Sequence, residues 1–152
     1  MAATLKLIYH TAKVRLGFLI MACALTGVAV IPDHSLGAWQ ILVLGVAVLV
    51  ASSAAGAFNQ FYERDLDVHM KRTRSRPFVT GRFRADRVWL GGIVLSLLLA
   101  LAAAALATNW LATFFVFMGA FTYGVVYTVW LKRRTWLNIV IGGLAGSFAV
   151  LA

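Results

Sequence analysis

Long apolar windows separated by short polar links run along the whole chain. Four windows can cross a bilayer, because about 20 helical residues rising about 1.5 Å each match a hydrocarbon core of about 30 Å. A fifth starts at Trp136 and is still apolar at Ala152, so we expect this chain to be the N-terminal part of a longer protein. The pattern predicts an all-α, polytopic membrane helical bundle forming one domain, 1–152, with about five spans at 14–31, 39–58, 88–107, 110–131 and 136–152.

Composition and charge agree with a membrane protein. Hydrophobic residues make up 62% of the 152 residues, and 14 Lys and Arg face 5 Asp and Glu, which disfavours a soluble globule. If successive connections between spans lie on alternate sides of the membrane, every Lys and Arg falls on one side. The connections on the opposite side contain one acidic residue, Asp33, and no Lys or Arg. The positive-inside tendency then predicts a cytoplasmic N-terminus and a cytoplasmic 59–87 loop, in a bacterial inner membrane. This tendency, with attraction to anionic lipid, accounts for Lys6, Lys13, Arg15 and the 132–134 triplet. Nucleic acid is not an expected partner, because the basic residues adjoin the membrane and no binding module is present.

The 59–87 loop also contains acids that topology does not explain. Acidic residues contribute little to orientation and oppose lipid attraction, yet Glu63, Asp65 and Asp67 lie close together here. If the second helix continues into the cytoplasm, Asn59, Glu63 and Asp67 share one helix face, because they are spaced four apart. Asp65 then points elsewhere.

One amide and two carboxylates in a row supply the hard oxygen ligands that Mg²⁺ takes together with substrate phosphates. Downstream cations in the same loop, among them Lys71, Arg72 and Arg76, suit a departing diphosphate. The alternative is a solvated loop whose acids and bases form surface pairs worth at most about 1 kcal/mol each. Spacing alone leaves both interpretations open.

Two stretches of the chain resemble the UbiA-type intramembrane prenyltransferases. The first resembles the family's first aspartate-rich motif, and its tail is typical of the branch that acts on haem rather than on quinone or chlorophyll precursors. The second resembles the family's fourth and fifth helices and the loop between them. The first stretch is Asn59-x-x-x-Glu63-x-Asp65-x-Asp67-x-x-Met70-x-Arg72-Thr73-x-x-Arg76-Pro77 followed by Gly81, and the second comprises Tyr123, Tyr127, Leu131-Lys132-Arg133, Thr135, Asn138 and Ile141-Gly142-Gly143.

The resemblance implies farnesyl diphosphate and haem B as substrates, Mg²⁺ as cofactor and the lipid bilayer as surroundings. Haem A synthase and oxidase assembly proteins are candidate partners. By motif match, Asn59, Glu63 and Asp67 are the catalytic and metal-binding residues, and Asp65 is a secondary metal ligand. Matched candidates for diphosphate binding are Lys71, Arg72, Arg76, Lys132, Tyr127 and Tyr123, although the last three are equally typical of interfacial anchors.

Two departures from the family pattern bear on function. Glu63 stands where the family usually has Asp, which keeps the carboxylate and adds one methylene. Members of the family are about twice as long and carry a second aspartate-rich motif, so we expect these 152 residues to be inactive alone. Two alternatives stay open: a UbiA-type transferase for a quinone precursor, and a non-catalytic half-length membrane protein.

Overall fold

The computed structural model describes residues 2–31, 36–132 and 134–152. Within these ranges the chain is helical and contains no β-strand, which confirms the predicted all-α bundle. One stretch has the wider π-helical turn and directly continues α6. The elements are α1 (Ala2–Thr11), α2 (Val14–Val30), α3 (Ala38–Tyr62), α4 (Arg64–Asp67), α5 (Arg87–Ala107), α6 (Trp110–Phe121), the π segment (Thr122–Leu131) and α7 (Asn138–Leu151).

Among the described residues, three helical stretches are long and apolar enough to cross a membrane: Ala38–Tyr62, Arg87–Ala107 and Trp110–Leu131, the last comprising α6 and the π segment. Two shorter apolar helices, Val14–Val30 and Asn138–Leu151, accompany them. Helix α1 was not predicted, because its ten residues lie before the first apolar window.

Helix α3 forms the centre of the bundle and packs against α2, α5 and α6. Its inward face is made of small residues, including Ala47 and Ala51, that meet Ala100 and Ala104 of α5 in the main buried cluster. Small side chains let helix backbones approach closely, which is how helices pack in membranes where lipid removes the usual hydrophobic driving force. Large apolar side chains such as Leu106 are exposed on the outside of the bundle.

Side-chain caps define the helix ends that face away from the charged loop. The Asn109 side chain accepts a hydrogen bond of 2.8 Å from the Ala112 amide at the start of α6. Gln40 Nε2 donates to the Ala107 carbonyl at 2.7 Å, which ties the start of α3 to the end of α5. These ends therefore meet at one side of the bundle, and the 63–86 connection lies at the other.

An aromatic cluster holds that connection against the bundle. Phe78 and Phe83 are buried, and Phe78 makes edge contacts with Phe61 of α3 and Trp89 of α5, at ring-centroid distances of 5.7 and 5.3 Å. Gly81 adopts a positive φ of 72° in the intervening turn, where a side chain would be strained. The connection is thereby fixed close to the end of α3.

Candidate functional site

Three polar residues at the end of α3 turn inward rather than toward solvent. Asn59, Glu63 and Asp67 are only 2%, 1% and 3% exposed. Helix α3 ends at Tyr62, but the backbone path continues, because the Glu63 amide donates to the Asn59 carbonyl at 3.0 Å and the Asp67 amide donates to the Glu63 carbonyl at 2.9 Å. The alternative of a solvated loop with surface ion pairs is therefore wrong for these two carboxylates.

Each buried carboxylate forms an ion pair with a cation from elsewhere in the chain. Lys132 Nζ lies 2.6 Å from Glu63 Oε2, and Arg76 Nη1 lies 2.6 Å from Asp67 Oδ2. The cation side chains are 27% and 20% exposed, so each reaches inward from the rim of the site. Thr73 Oγ1 also donates to the Asp67 carbonyl at 3.3 Å, which anchors the chain between Asp67 and Arg76.

Lys13 belongs to the same site. It adopts a left-handed conformation with φ 49° between α1 and α2, the only positive φ of a non-glycine residue among the described ranges. Its Nζ donates to Asn59 Oδ1 at 2.9 Å and to the Tyr123 hydroxyl at 2.7 Å. Burial and the nearby charges of Arg76 and Lys132 lower the pKa of Lys13 to about 8. Assigning Lys13 only to topology and lipid attraction was thus incomplete, since sequence distance hid its partners.

The π segment places its polar residues on the site. Tyr123 and Lys132 are nine positions apart, which in an α-helix is about two and a half turns and would put them on opposite faces. The wider π repeat makes the same interval about two turns, so both face the site. Thr128 Oγ1 donates to the Tyr123 carbonyl at 2.8 Å and accepts from Asn59 Nδ2 at 3.1 Å. The Tyr127 ring stacks on Tyr123 at 5.5 Å.

We call these side chains the polar cluster: Lys13, Asn59, Glu63, Asp67, Arg76, Tyr123, Thr128 and Lys132. It contains three cations and two carboxylates, and neither ion pair found in the described ranges includes Lys13. A partly buried ammonium whose hydrogen bonds go to neutral groups is incompletely compensated for its lost hydration. An anion that entered the cluster would supply the missing charge.

The cluster also fits a hard divalent cation. Glu63 Oε1 is buried and, within the part of the chain that the structure describes, has no hydrogen-bond partner. The described residues contain no group of three or more His, Cys, Asp and Glu that could hold a metal by themselves. Glu63, Asp67 and Asn59 supply hard oxygens, and a site with two carboxylates is the kind that Mg²⁺ completes with phosphate oxygens.

Other predicted site residues lie outside the cluster. Asp65, Lys71 and Arg72 are exposed, in contrast to the buried Glu63 and Asp67. Sequence reasoning missed Thr128 and the contacts of Lys13. A polar Thr within an apolar window was the only sequence signal for Thr128.

An apolar cavity of about 260 Å³ lies between α2, α3, α6 and α7, next to the polar cluster. Ten of the sixteen lining residues are Gly, Ala or Ser, so the space exists because the helices present small side chains to one another. Tyr123 belongs to both regions: it lines the cavity, and its hydroxyl accepts the hydrogen bond from Lys13. A ligand with a charged head and an apolar tail matches this arrangement.

The fold and site together define a multi-pass helical membrane protein with a buried charged cluster beside an apolar cavity. The family model of the UbiA prenyltransferase family matches residues 20–152, and the chain belongs to this family. This membership confirms the resemblance carried by the Asn59 to Gly81 stretch.

Curated relatives with high similarity are farnesyltransferases by name. Protoheme IX farnesyltransferase 2 of Paramagnetospirillum magneticum is 49% identical over 152 residues, covering 100% of this chain and 53% of the relative. Protoheme IX farnesyltransferase 1 of the same organism is 42% identical over 143 residues, covering 92% and 49%. Protoheme IX farnesyltransferase of Bartonella henselae is 40% identical over 136 residues, covering 90% and 43%. The chain thus spans about half the length of these relatives. No solved structure matches the chain significantly.

Proposed function

We propose that this chain forms the diphosphate-binding part of a protoheme IX farnesyltransferase, which transfers the farnesyl group of farnesyl diphosphate to a vinyl group of haem B and yields haem O. The observation that carries the proposal is the polar cluster, in which three cations face two buried carboxylates, beside the apolar cavity. The names of the relatives give the acceptor and the prenyl group.

In this mechanism Lys13, Arg76 and Lys132 bind the diphosphate oxygens. The bond between C1 of the farnesyl group and the diphosphate oxygen breaks, and the electron pair leaves with the diphosphate. Cationic donors in contact with the diphosphate stabilise the negative charge that develops there. Arg76 and Lys132 reach these oxygens by exchanging their present carboxylate partners for phosphate.

Glu63, Asp67 and Asn59 would hold Mg²⁺ through their side-chain oxygens, and the partnerless Glu63 Oε1 supports this assignment. Bound Mg²⁺ would supply further neutralisation of the diphosphate charge. We leave Asp65 outside the metal set because its side chain is exposed. Lys71 and Arg72 extend the positive surface of the loop and meet the diphosphate from the solvent side as it enters or leaves.

The cavity accommodates the farnesyl chain. C1 bonds to the terminal vinyl carbon of haem B, and a water molecule adds to the adjacent carbon and loses a proton, giving the hydroxyethylfarnesyl group. Apolar walls exclude water from the allylic cation before this point. The ring of Tyr123, at the junction of cavity and cluster, and the stacked ring of Tyr127 offer aromatic faces that stabilise positive charge.

We further place the protein in a bacterial inner membrane, with the N-terminus and the 59–87 loop in the cytoplasm. The concentration of basic residues at the end of the bundle that holds the polar cluster supports this orientation. Farnesyl diphosphate is a charged, cytoplasmic substrate, so the cluster would face its supply. Haem A synthase or oxidase assembly proteins are the partners that would take haem O onward.

The test uses a chimera in which these 152 residues replace the matched segment of the Paramagnetospirillum magneticum relative, so that the rest of the relative's chain is supplied. Membranes of a strain without haem O synthesis receive the chimera, Mg²⁺ and farnesyl diphosphate, and extracted haems are analysed by mass spectrometry. We expect haem O from the chimera and a loss of at least 100-fold in Glu63→Gln and Asp67→Asn, because each removes a charge while keeping side-chain volume.

Asp65→Asn is the matched control, since it removes an exposed carboxylate from the same loop, and it should retain most of the activity. Full activity in Glu63→Gln or Asp67→Asn would contradict the assignment of the cluster. The acceptor is tested in parallel by offering haem B and 4-hydroxybenzoate together. Prenylation of the phenolic acid in place of haem would identify a quinone-type transferase instead.

A further inference from the structure

The cavity has a definite far end. Its lining residues run from Tyr123 of the π segment to Phe115 of α6, from Ala55 to Val48 on α3 and from Gly142 to Ala149 on α7. Eight positions along α6 and the π segment correspond to a depth of at most about 12 Å, and seven positions on α3 or α7 to about 10.5 Å. The lining therefore has a similar length on these helices, and Leu16 and Ile20 of α2 complete it.

The far end is blocked by tight packing. Val48, Val116 and Ala149 line the cavity and also belong to the main buried cluster beyond it. At this level a Cβ placed on Gly27 would collide with the carbonyl oxygen of Val150, so the backbones of α2 and α7 are in contact. No cavity lining continues into this region on the described residues.

Phe115 is the one aromatic residue among those that line this end of the cavity. Its ring lines the cavity and lies nearly parallel to the ring of Phe148, with centroids 6.3 Å apart and an interplanar angle of 22°. Below it on α6 lie the buried Thr113 and Ala112, whose side chains are smaller than that of Phe115. Removing the Phe115 ring would therefore extend the cavity away from the polar cluster.

The depth corresponds to a particular prenyl length. Bonds of about 1.5 Å in a zigzag advance a chain by about 1.25 Å each, so an extended isoprene unit of four main-chain bonds covers about 5 Å. With the reacting first unit beside Tyr123, a farnesyl chain has two units left, about 10 Å, and fills the cavity. A geranylgeranyl chain would need about 15 Å, and a geranyl chain would leave about half of the depth empty.

We propose that Phe115 sets the prenyl chain length by closing the cavity two isoprene units beyond the polar cluster. This inference rests on the proposed prenyl diphosphate site, but not on the identity of the acceptor. Ala51 lines the cavity wall one turn above Val48. A larger side chain at this position would shorten the cavity and should favour a shorter prenyl chain, whereas removing the Phe115 ring should favour a longer one.

The chimera is supplied with equal amounts of geranyl, farnesyl and geranylgeranyl diphosphate together with haem B, and the prenylated haems are quantified by mass spectrometry. We expect Phe115→Ala to raise the geranylgeranyl-to-farnesyl product ratio at least tenfold, and Ala51→Phe to raise the geranyl-to-farnesyl ratio at least tenfold. Phe114→Ala is the matched control, because Phe114 is 51% exposed and is not a lining residue, and its removal shows whether losing the edge contact of 5.7 Å between its ring and that of Phe115 changes the ratio by itself. Its product ratio should stay within twofold of the parent.

An unchanged ratio in Phe115→Ala, or an equal change in Phe114→Ala, would overturn the proposal. If a variant makes no product, the dissociation constants of farnesyl and geranylgeranyl thiolodiphosphate are measured by calorimetry on the purified chimera. Phe115→Ala should lower the geranylgeranyl-to-farnesyl ratio of dissociation constants tenfold, and no change in that ratio overturns the proposal. If Phe115→Ala changes the ratio of dissociation constants as expected but the parent chimera prenylates no haem, the role of Phe115 in chain-length selection stands. Haem B is then rejected as the acceptor.

Discussion

The ion pair between Lys132 and Glu63 provides a quantitative test of the polar cluster. At a separation of 2.6 Å, the attraction of two unit charges is about 6 kcal/mol with an effective dielectric constant of about 20. Much of this is offset by desolvation, because the Glu63 side chain is only 1% exposed. Removing one partner of a buried pair costs about 3–5 kcal/mol. Since the Lys132 side chain is 27% exposed, we expect Lys132→Met to lose about 3 kcal/mol of unfolding free energy, the lower end of that range.

A double-mutant cycle separates the pair from its surroundings. Glu63→Gln leaves Lys132 able to reach water and should cost about 1–2 kcal/mol. Lys132→Met combined with Glu63→Gln removes both charges, so the double variant should lose about 2 kcal/mol less than the sum of the single losses. The four proteins are unfolded with sodium dodecyl sulfate in mixed micelles and followed by far-ultraviolet circular dichroism.

Lys71→Met is the control, because Lys71 is an exposed lysine of the same loop and its removal should change stability by at most about 0.5 kcal/mol. Additive losses in the double variant, within about 0.5 kcal/mol, would mean that Lys132 and Glu63 do not interact. This result would refute the ion pair on which the polar cluster depends.

Three further predictions concern the site and the helix ends. Lys13→Gln in the chimera should weaken binding of inorganic pyrophosphate at least tenfold by calorimetry, because it removes the cation that has no carboxylate partner, whereas Lys6→Gln on α1 should have little effect. Gly142→Ala should destabilise the chain by about 1–3 kcal/mol in the same micelle assay, because its Cβ would lie 2.6 Å from Cδ2 of Tyr127; equal stability would place the Tyr127 ring elsewhere. Asp86→Ala should cost about 1 kcal/mol, since its carboxylate accepts two backbone hydrogen bonds of 3.1 Å at the start of α5, and Asp86→Asn should restore most of the loss.

Part of the candidate site follows from local sequence rules. Asn59, Glu63 and Asp67 lie on one inward face because a spacing of four is a property of the helix itself. The spacing does not show whether these side chains are buried. Sequence alone therefore left a metal and diphosphate site and a solvated loop as equal alternatives. The choice between them came from Lys132 and Arg76, whose contacts with the carboxylates depend on how distant segments pack. Lys71 and Arg72 show the converse, since their proximity in sequence to Asp67 does not place them in the cluster.

By itself, the sequence determined that this is an all-helical membrane protein of the UbiA type, because span length, charge asymmetry and motif spacing are properties of continuous segments. Tertiary structure alone decided that Lys13 reaches Asn59 and Tyr123, that the π repeat brings Tyr123 and Lys132 to one face, and that small residues from three helices leave a cavity that Phe115 helps to line. These features arise where residues far apart in the chain meet. Local hydropathy and propensity carry no information about which distant side chains will share a buried space, since packing selects those contacts.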